Sequence, residues 1–241
     1  MNELVTCTAL SKRYGSLTAL DHIDLHIAPG RIIGLLGPNG SGKTTLIKIL
    51  TGLLRPTEGS ATVNGLPIGH ESKALVSYLP ERMYYANWMR TSDMLQLFAD
   101  FYADFHIDRA KAMCNALGIG LKTRVKSMSK GTKEKLQLIL VMSRQAKLYL
   151  LDEPIAGVDP AARDFILQTI LTNYSKDSSV ILSTHLITDI EPVLDEVIFL
   201  GNGRVLRHES VDAIREAEGR SVDAVFREIF RTIPVGGDWP C

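Results

Sequence analysis

The chain has 241 residues, 45% of them hydrophobic and 22% charged, which suits one large globular domain or two small ones. Lys plus Arg number 27 and Asp plus Glu 27, so the basic excess of nucleic-acid binders is missing and no nucleic-acid partner is expected. Cys7, Cys114 and Cys241 show no C-x-x-C spacing and cannot all pair, which favours a reducing compartment. The acidic start "MNELVTC" has no apolar core of a signal peptide, and no apolar run reaches the roughly 18–20 residues of a membrane helix. If this chain works at a membrane, another chain must span it.

Two early β-type runs, "LVTCTAL" and "DLHIA", lead to the turn signal Pro29-Gly30. "RIIGLLG" (31–37) is a nearly continuous apolar run, as expected of a strand buried on both faces, and a glycine-rich turn and a helical pattern from Lys43 follow. "GSATVNG" (59–65) predicts an edge strand closed by Asn-Gly, and "ALVSYL" (74–79) a further strand. From residue 91 the texture turns helical. Thr91 or Ser92 can cap "SDMLQLFADFYADF", where Leu95, Phe98, Phe101 or Tyr102, and Phe105 recur at three- to four-residue spacing and predict a core-facing stripe. Helical patterns follow at 107–117 and about 130–145. β-type runs return at "KLYLLD" (147–152), "SSVILST" (178–184), "EVIFLG" (196–201) and "RVLR", and short helices at about 211–217 and 221–231 end the pattern. Strand–helix alternation predicts a mainly parallel α/β sheet, with the helical block inserted as a lobe.

"GPNGSGKTT" (37–45) fits G-x-x-x-x-G-K-[ST] between a predicted strand and a predicted helix. Gly37, Pro38, Asn39, Gly40, Ser41 and Gly42 let backbone N–H groups wrap the α- and β-phosphates at a helix N-terminus. Lys43 can reach the β- and γ-phosphates, the Thr44 hydroxyl can ligate Mg²⁺, and Thr45 completes the turn. The chain is therefore expected to bind a nucleoside triphosphate. "LYLLDEP" (148–154) places Asp152 at the C-terminal end of a buried strand, where it would hold Mg²⁺ through water. Glu153 then stands where it can orient and deprotonate the water that attacks the γ-phosphate. In "SMSKGTKEKLQLIL" (127–140), Ser129, Gly131 and Thr132 open a helix and suit a phosphate, although on spacing alone Ser129 reads as a plain N-cap.

Together these stretches resemble the ATP-binding subunit of an ATP-binding-cassette (ABC) transporter over about residues 3 to 231. Tyr14 matches the aromatic residue that stacks on adenine, residues 37–45 Walker A, and "LYLLDE" Walker B with its catalytic glutamate. "MSKGT" (128–132) falls where the family has LSGGQ, "AGVD" (156–159) matches the D-loop, and His185 in "ILSTHL" the H-loop. The resemblance implies a P-loop NTPase core with an antiparallel β-subdomain and an inserted helical subdomain. The core would span about 1–81 and 146–231 and the helical part about 82–145, in one domain to residue 231 with a flexible tail at 232–241. It further implies a homo- or heterodimer closing on two ATP molecules, each capped by Ser129, Lys130 and Gly131 of the opposite subunit. His185 would contact the γ-phosphate and Asp159 would cross the interface. Hydrolysis would drive a separate membrane-spanning permease from the cytoplasmic face of the membrane.

Two departures stand out. Glu81 occupies the Q-loop position of a glutamine and would add a negative charge beside the triphosphate, making ATP affinity more dependent on Mg²⁺. In the signature, Lys130 replaces a glycine, and the shorter Thr132 replaces a glutamine that contacts ribose. Both changes resemble the branch of Gram-positive drug and antimicrobial-peptide exporters. Import, or a non-transport role in regulation, assembly or repair, stays open from the sequence. In "VSYLPERMYYANWM" (76–89), Tyr84, Tyr85 and Trp88 are expected either to dock a short helix of the permease or to cover the lobe's own core.

Overall fold

The computed structural model describes residues 3–81, 85–155, 160–175 and 177–231, with 160–162 and 173 described by their backbone alone. The strands are β1 (Val5–Tyr14), β2 (Leu17–Ile27), β3 (Ile32–Leu36), β4 (Glu58–Val63), β5 (Leu66–Pro67), β6 (Val76–Leu79), β7 (Leu148–Asp152), β8 (Ser179–Thr184), β9 (Glu196–Gly201) and β10 (Arg204–Ser210). The helices are α1 (Lys43–Leu50), α2 (His70–Ala74), α3 (Thr91–Phe101), α4 (Ile107–Ala116), α5 (Lys130–Met142), α6 (Pro160–Asn173), α7 (Ile187–Ile190), α8 (Val211–Glu218) and α9 (Val222–Arg231). The fold is that of a P-loop NTPase: an α/β core with a second, antiparallel sheet and an inserted helical lobe.

Among the described residues the main sheet runs β10-β9-β3-β8-β7-β6, parallel except for β10. Its central strands are buried along their whole length, "IIGLL" in β3 and "LYLLD" in β7 included, because helices cover both faces. One face packs on α5, α6 and α9, and the other on α1 and the smaller sheet, whose order is β2-β1-β4-β5. The chain leaves β8 and crosses β3 to form β9, so the strand order reverses beside the end of β3. Open α/β sheets bind ligands at such a crevice. Register fixes what meets there: Leu36 pairs with Thr184, and Asp152 with Ser183. The residues that follow β3, β7 and β8 therefore emerge at one level.

Three expectations need correction. β4 is not an edge strand, because β1 pairs along one side and the two-residue β5 closes the other. The helix from residue 91 stops at Phe101, and of the two residues that could continue the stripe Tyr102 joins it and Phe101 does not. Phe98 packs with Tyr85, Tyr102 and Phe105 in the lobe, whereas Phe101 is 75% exposed. The helical pattern near 130–145 likewise ends at Met142. Residues 232–241, expected to form a tail, lie outside the described residues.

The lobe (α3, α4, α5) interrupts the chain between β6 and β7; α5 packs Leu138, Val141 and Met142 into the core, and a buried cation adds polar ties. Arg144, 2% exposed, donates to both carboxylate oxygens of Asp104 (3.0 and 3.1 Å) and to the carbonyls of Val76 (2.5 Å) and Ala74 (2.6 Å). Tyr102 covers the guanidinium at 3.9 Å. Two further bonds join β6 to α5: the Ser77 hydroxyl donates to the Val141 carbonyl (2.9 Å) and the Gln137 amide to the Pro80 carbonyl (3.0 Å). Arg144→Leu would leave the carbonyls unpaired under the lobe and Asp104 without its cation. Its cost is expected to be about 2–4 kcal/mol, read as a lowered urea midpoint.

Candidate functional site

The loop from Gly37 to Gly42 turns tightly because three of its positions need glycine. Gly40 and Gly42 have φ of 82° and 108°. A Cβ on Gly37 would lie 2.2 Å from the Leu200 carbonyl oxygen, and one on Gly42 would lie 2.5 Å from that of Ala19. Lys43 begins α1 and is 7% exposed, its ammonium donating to the carbonyls of Gly37 (2.6 Å) and Pro38 (3.1 Å). Burial holds its pKa below the usual lysine value, and the carboxylates of Glu153 and Asp152 oppose that shift.

Asp152 lies under the loop, 2% exposed. One of its oxygens accepts from the Ser183 hydroxyl at 2.7 Å and from the Thr44 hydroxyl at 3.3 Å. The other is buried with no hydrogen-bond partner. An unsatisfied buried carboxylate oxygen beside a threonine hydroxyl fits a hard cation that prefers oxygen ligands. Among the described residues no group of three or more His, Cys, Asp or Glu could hold a metal by itself. That matches Mg²⁺, which takes one or two carboxylates and completes its shell with water and phosphate.

Glu153 follows with φ of 53°, a left-handed conformation rare for a side chain of its size. Its N–H donates to the Ser183 carbonyl (3.1 Å) and hydroxyl (3.2 Å), which fix the turn. Its carboxylate lies 3.0 Å from Nδ1 of His185, the residue after β8. Backbone strain of about 1–3 kcal/mol is thus held at the one position that turns a carboxylate outward from the sheet edge.

A cleft of about 520 Å³ lies over these groups, a volume suited to a small ligand. Tyr14, residues 39–45, Glu81, Glu153 and His185 line it together, although they come from five separate stretches. Tyr14 stands 45% exposed, with the Lys12 ammonium 5.2 Å from its ring centre. Gly37 and Pro38 face Lys43 rather than the cleft, and Asp152 sits beneath it. Leu17 and Ala19 also line the cleft, and sequence reasoning passed over them, as it did Ser183. No local pattern marks Ser183, because β8 is buried along its whole length and its pairing with Asp152 follows only from strand order.

Ser129, Lys130, Gly131 and Thr132 do not line the cleft of this subunit. The Ser129 hydroxyl caps α5, accepting from the Thr132 N–H at 3.2 Å and lying 2.8 Å from the Thr132 hydroxyl. The Lys130 ammonium is 3.7 Å from Glu134. Asp159 and the rest of "AGVD", and Tyr84, lie outside the described residues.

The sequence of residues 20–156 matches the ABC transporter family profile. The chain belongs to the ABC transporter ATP-binding family. Its enzymatic class is accordingly that of an ATPase. It is 30% identical over 237 residues to the daunorubicin resistance ATP-binding protein DrrA3 of Streptomyces coeruleorubidus, covering 93% of this chain and 74% of that one. It is 28% identical over 212 residues to the lantibiotic transport ATP-binding protein SrtF of Streptococcus pyogenes, covering 87% and 92%. An ABC transporter ATP-binding protein of Synechocystis sp. (strain ATCC 27184 / PCC 6803 / Kazusa) is 31% identical over 196 residues, or 78% of this chain, which spans 55% of that relative's length. Among solved structures, an ATP-binding subunit of an ABC transporter superposes with a TM-score of 0.85 at 27% identity, covering 94% of this chain and 99% of that one.

Gly37→Ala tests the loop's close packing. The added methyl meets backbone rather than a mobile side chain, so a loss of about 2–3 kcal/mol is expected on thermal or urea unfolding, together with lost nucleotide binding.

Proposed function

We propose that this chain binds and hydrolyses ATP in a dimer of such subunits and thereby powers a separate membrane-spanning permease, exporting a drug, peptide or other small amphiphile. The observation that carries the reading is the meeting of the loop at 39–45 with the Glu153–His185 pair in one cleft. Residues 1–231 would form a single ABC domain, with the core at about 1–81 and 146–231 and the helical part at 82–145. Tyr14 at the cleft mouth stacks on adenine. The N–H groups of residues 39–44 hold the phosphates, and Lys43 exchanges its bonds to the Gly37 and Pro38 carbonyls for bonds to the β- and γ-phosphates.

Thr44 and Asp152 would hold Mg²⁺, with Glu81 across the cleft, and the ion would offset charge on the β- and γ-phosphate oxygens. Glu153 accepts a proton from water as its oxygen attacks the γ-phosphorus and the bond to the β-bridging oxygen breaks. His185 orients the accepting carboxylate and reaches the γ-phosphate. Ser129, Lys130 and Gly131 of the opposite subunit cover the nucleotide, and Asp159 crosses between the two sites. Support comes from Gly131 itself. A Cβ there would meet nothing within 4 Å, so contacts within one subunit do not call for glycine. A close approach from outside would.

The permease would engage a second cavity of about 520 Å³ between core and lobe, lined by Leu53, Tyr78, Tyr85, Phe98, Tyr102 and Arg144 among others. Its apolar walls suit a short helix of a partner. Tyr85 lines it and is also part of the lobe's packing, whereas Trp88 does not line it. Among the described residues no helix is long and apolar enough to cross a membrane. A spanning partner would therefore hold this chain at the cytoplasmic face. Export is favoured by the likeness to the daunorubicin resistance and lantibiotic transport proteins.

Glu153→Gln should lower kcat by roughly 10²–10⁴-fold and accumulate an ATP-bound dimer on size-exclusion chromatography. Near-normal hydrolysis by that variant would overturn the assignment of the base. Glu81→Gln should shrink the ratio of ATP affinities with and without Mg²⁺ by roughly two- to fivefold, the size of one partly exposed charge interaction. Isothermal titration in Mg²⁺ and in chelator reads that ratio directly.

A further inference from the structure

Two stretches of the lobe that lie far apart in sequence form a short antiparallel ribbon. The Thr91 N–H donates to the Thr123 carbonyl (3.0 Å), and the Val125 N–H to the Met89 carbonyl (2.9 Å). Arg90 and Arg124 are directly opposite each other between those bonds. This is the non-hydrogen-bonded kind of pair, with Cα atoms about 4.5 Å apart and side chains at their closest. Exposure alternates along both strands. Thr91 and Val125 are buried and Met89 packs into the lobe, whereas Trp88, Arg90, Lys122, Arg124 and Lys126 face outward.

The outward face thus carries four cations and one indole, in a chain whose total charge is zero. Among the described residues no ion pair engages any of the four. The adjacent carboxylate of Asp93 is taken by the start of α3, accepting from the Arg90 N–H at 2.8 Å and from the Ser92 hydroxyl at 3.3 Å. Like charges directly opposite across a ribbon destabilise it. Trp88, 69% exposed, adds a large apolar surface with no internal cover.

We propose that this face docks an acidic segment of a partner polypeptide, one with carboxylates on alternate residues. Carboxylates laid along it would meet the two guanidiniums as forked acceptors and the two ammoniums as point charges, relieving the repulsion between Arg90 and Arg124. Trp88 supplies the anchor at one end. A nucleic acid is less well matched, because the chain lacks the general basic excess such ligands select. A bilayer surface would call for more inserted apolar area than Trp88 and the 39% exposed Leu121 provide. The ribbon shares no lining residue with the cavity between core and lobe, and the inference does not rest on the nucleotide reading. Its second strand runs on through the turn Val125–Ser127 to Ser129, so an occupant would press on the start of α5.

Arg90→Glu separates this from a structural role. It turns the repulsive cross-strand pair into an attractive one, so the intact variant should unfold at a higher temperature than the wild type. The same change should weaken binding of a synthetic peptide alternating glutamate and serine by at least about tenfold at low salt, by the loss and reversal of one paired charge. Greater stability together with weaker peptide binding is a combination that misfolding cannot produce. Equal binding by the variant, or no binding of the peptide by the wild type, would overturn the proposal. So would binding confined to phosphatidylserine-containing vesicles or to oligouridylate.

Discussion

A buried carboxylate with one oxygen left over governs this molecule. Asp152 ends a strand covered on both faces, and Ser183 and Thr44 satisfy only one of its two oxygens. Burying a charge without partners is costly, so the surroundings must supply what the strand cannot. That requirement ties the end of β7 to two elements distant in sequence, the threonine at the start of α1 and the serine near the end of β8, and leaves one oxygen open. The in-register ends of β3, β7 and β8 are what let one carboxylate serve both.

Around that point the structure trades stability for placement. Glu153 sits in a left-handed conformation and Gly37 admits no side chain, while Lys43 is buried with its charge held by carbonyls. Each device is unfavourable in isolation. Each becomes reasonable because both faces of the parallel sheet are packed, and the resulting rigid frame leaves no other conformation for the loop to relax into. The lobe adds polar ties to apolar packing, since Leu138, Val141 and Met142 of α5 sit in the core's hydrophobic cluster while Arg144 gathers most of the hydrogen bonds, with single bonds from Gln137, Ser77 and Tyr149.

The parts of this design that were legible in the sequence are those written in consecutive residues. The apolar runs of β3, β7, β8 and β9 read as strands because local composition alone determines them. The loop at 37–45 read as a glycine-rich turn opening a helix for the same reason. Phe101 misled because helical periodicity says which residues share a face but not where the helix ends. The two-residue β5 is too short to leave a pattern, so β4 read as an edge. Ser183 was hidden because its role depends on β8 lying next to β7, which is a matter of long-range pairing. The outward cations of the ribbon were scattered between positions 90 and 126 and gathered only once its two strands met.

The polar ties between lobe and core also bear on modularity. Helices α3, α4 and α5 are inserted together between β6 and β7 and could be mistaken for a bead on the chain. Yet Arg144 within it completes its hydrogen bonds on Ala74 and Val76, and Gln137 on Pro80, all of which precede the insertion. An excised fragment would keep Asp104 beside Arg144 but leave behind the two carbonyls that complete the guanidinium's hydrogen bonds. The lobe is an outgrowth of β6, and a boundary drawn where the helices begin would cut through its foundation.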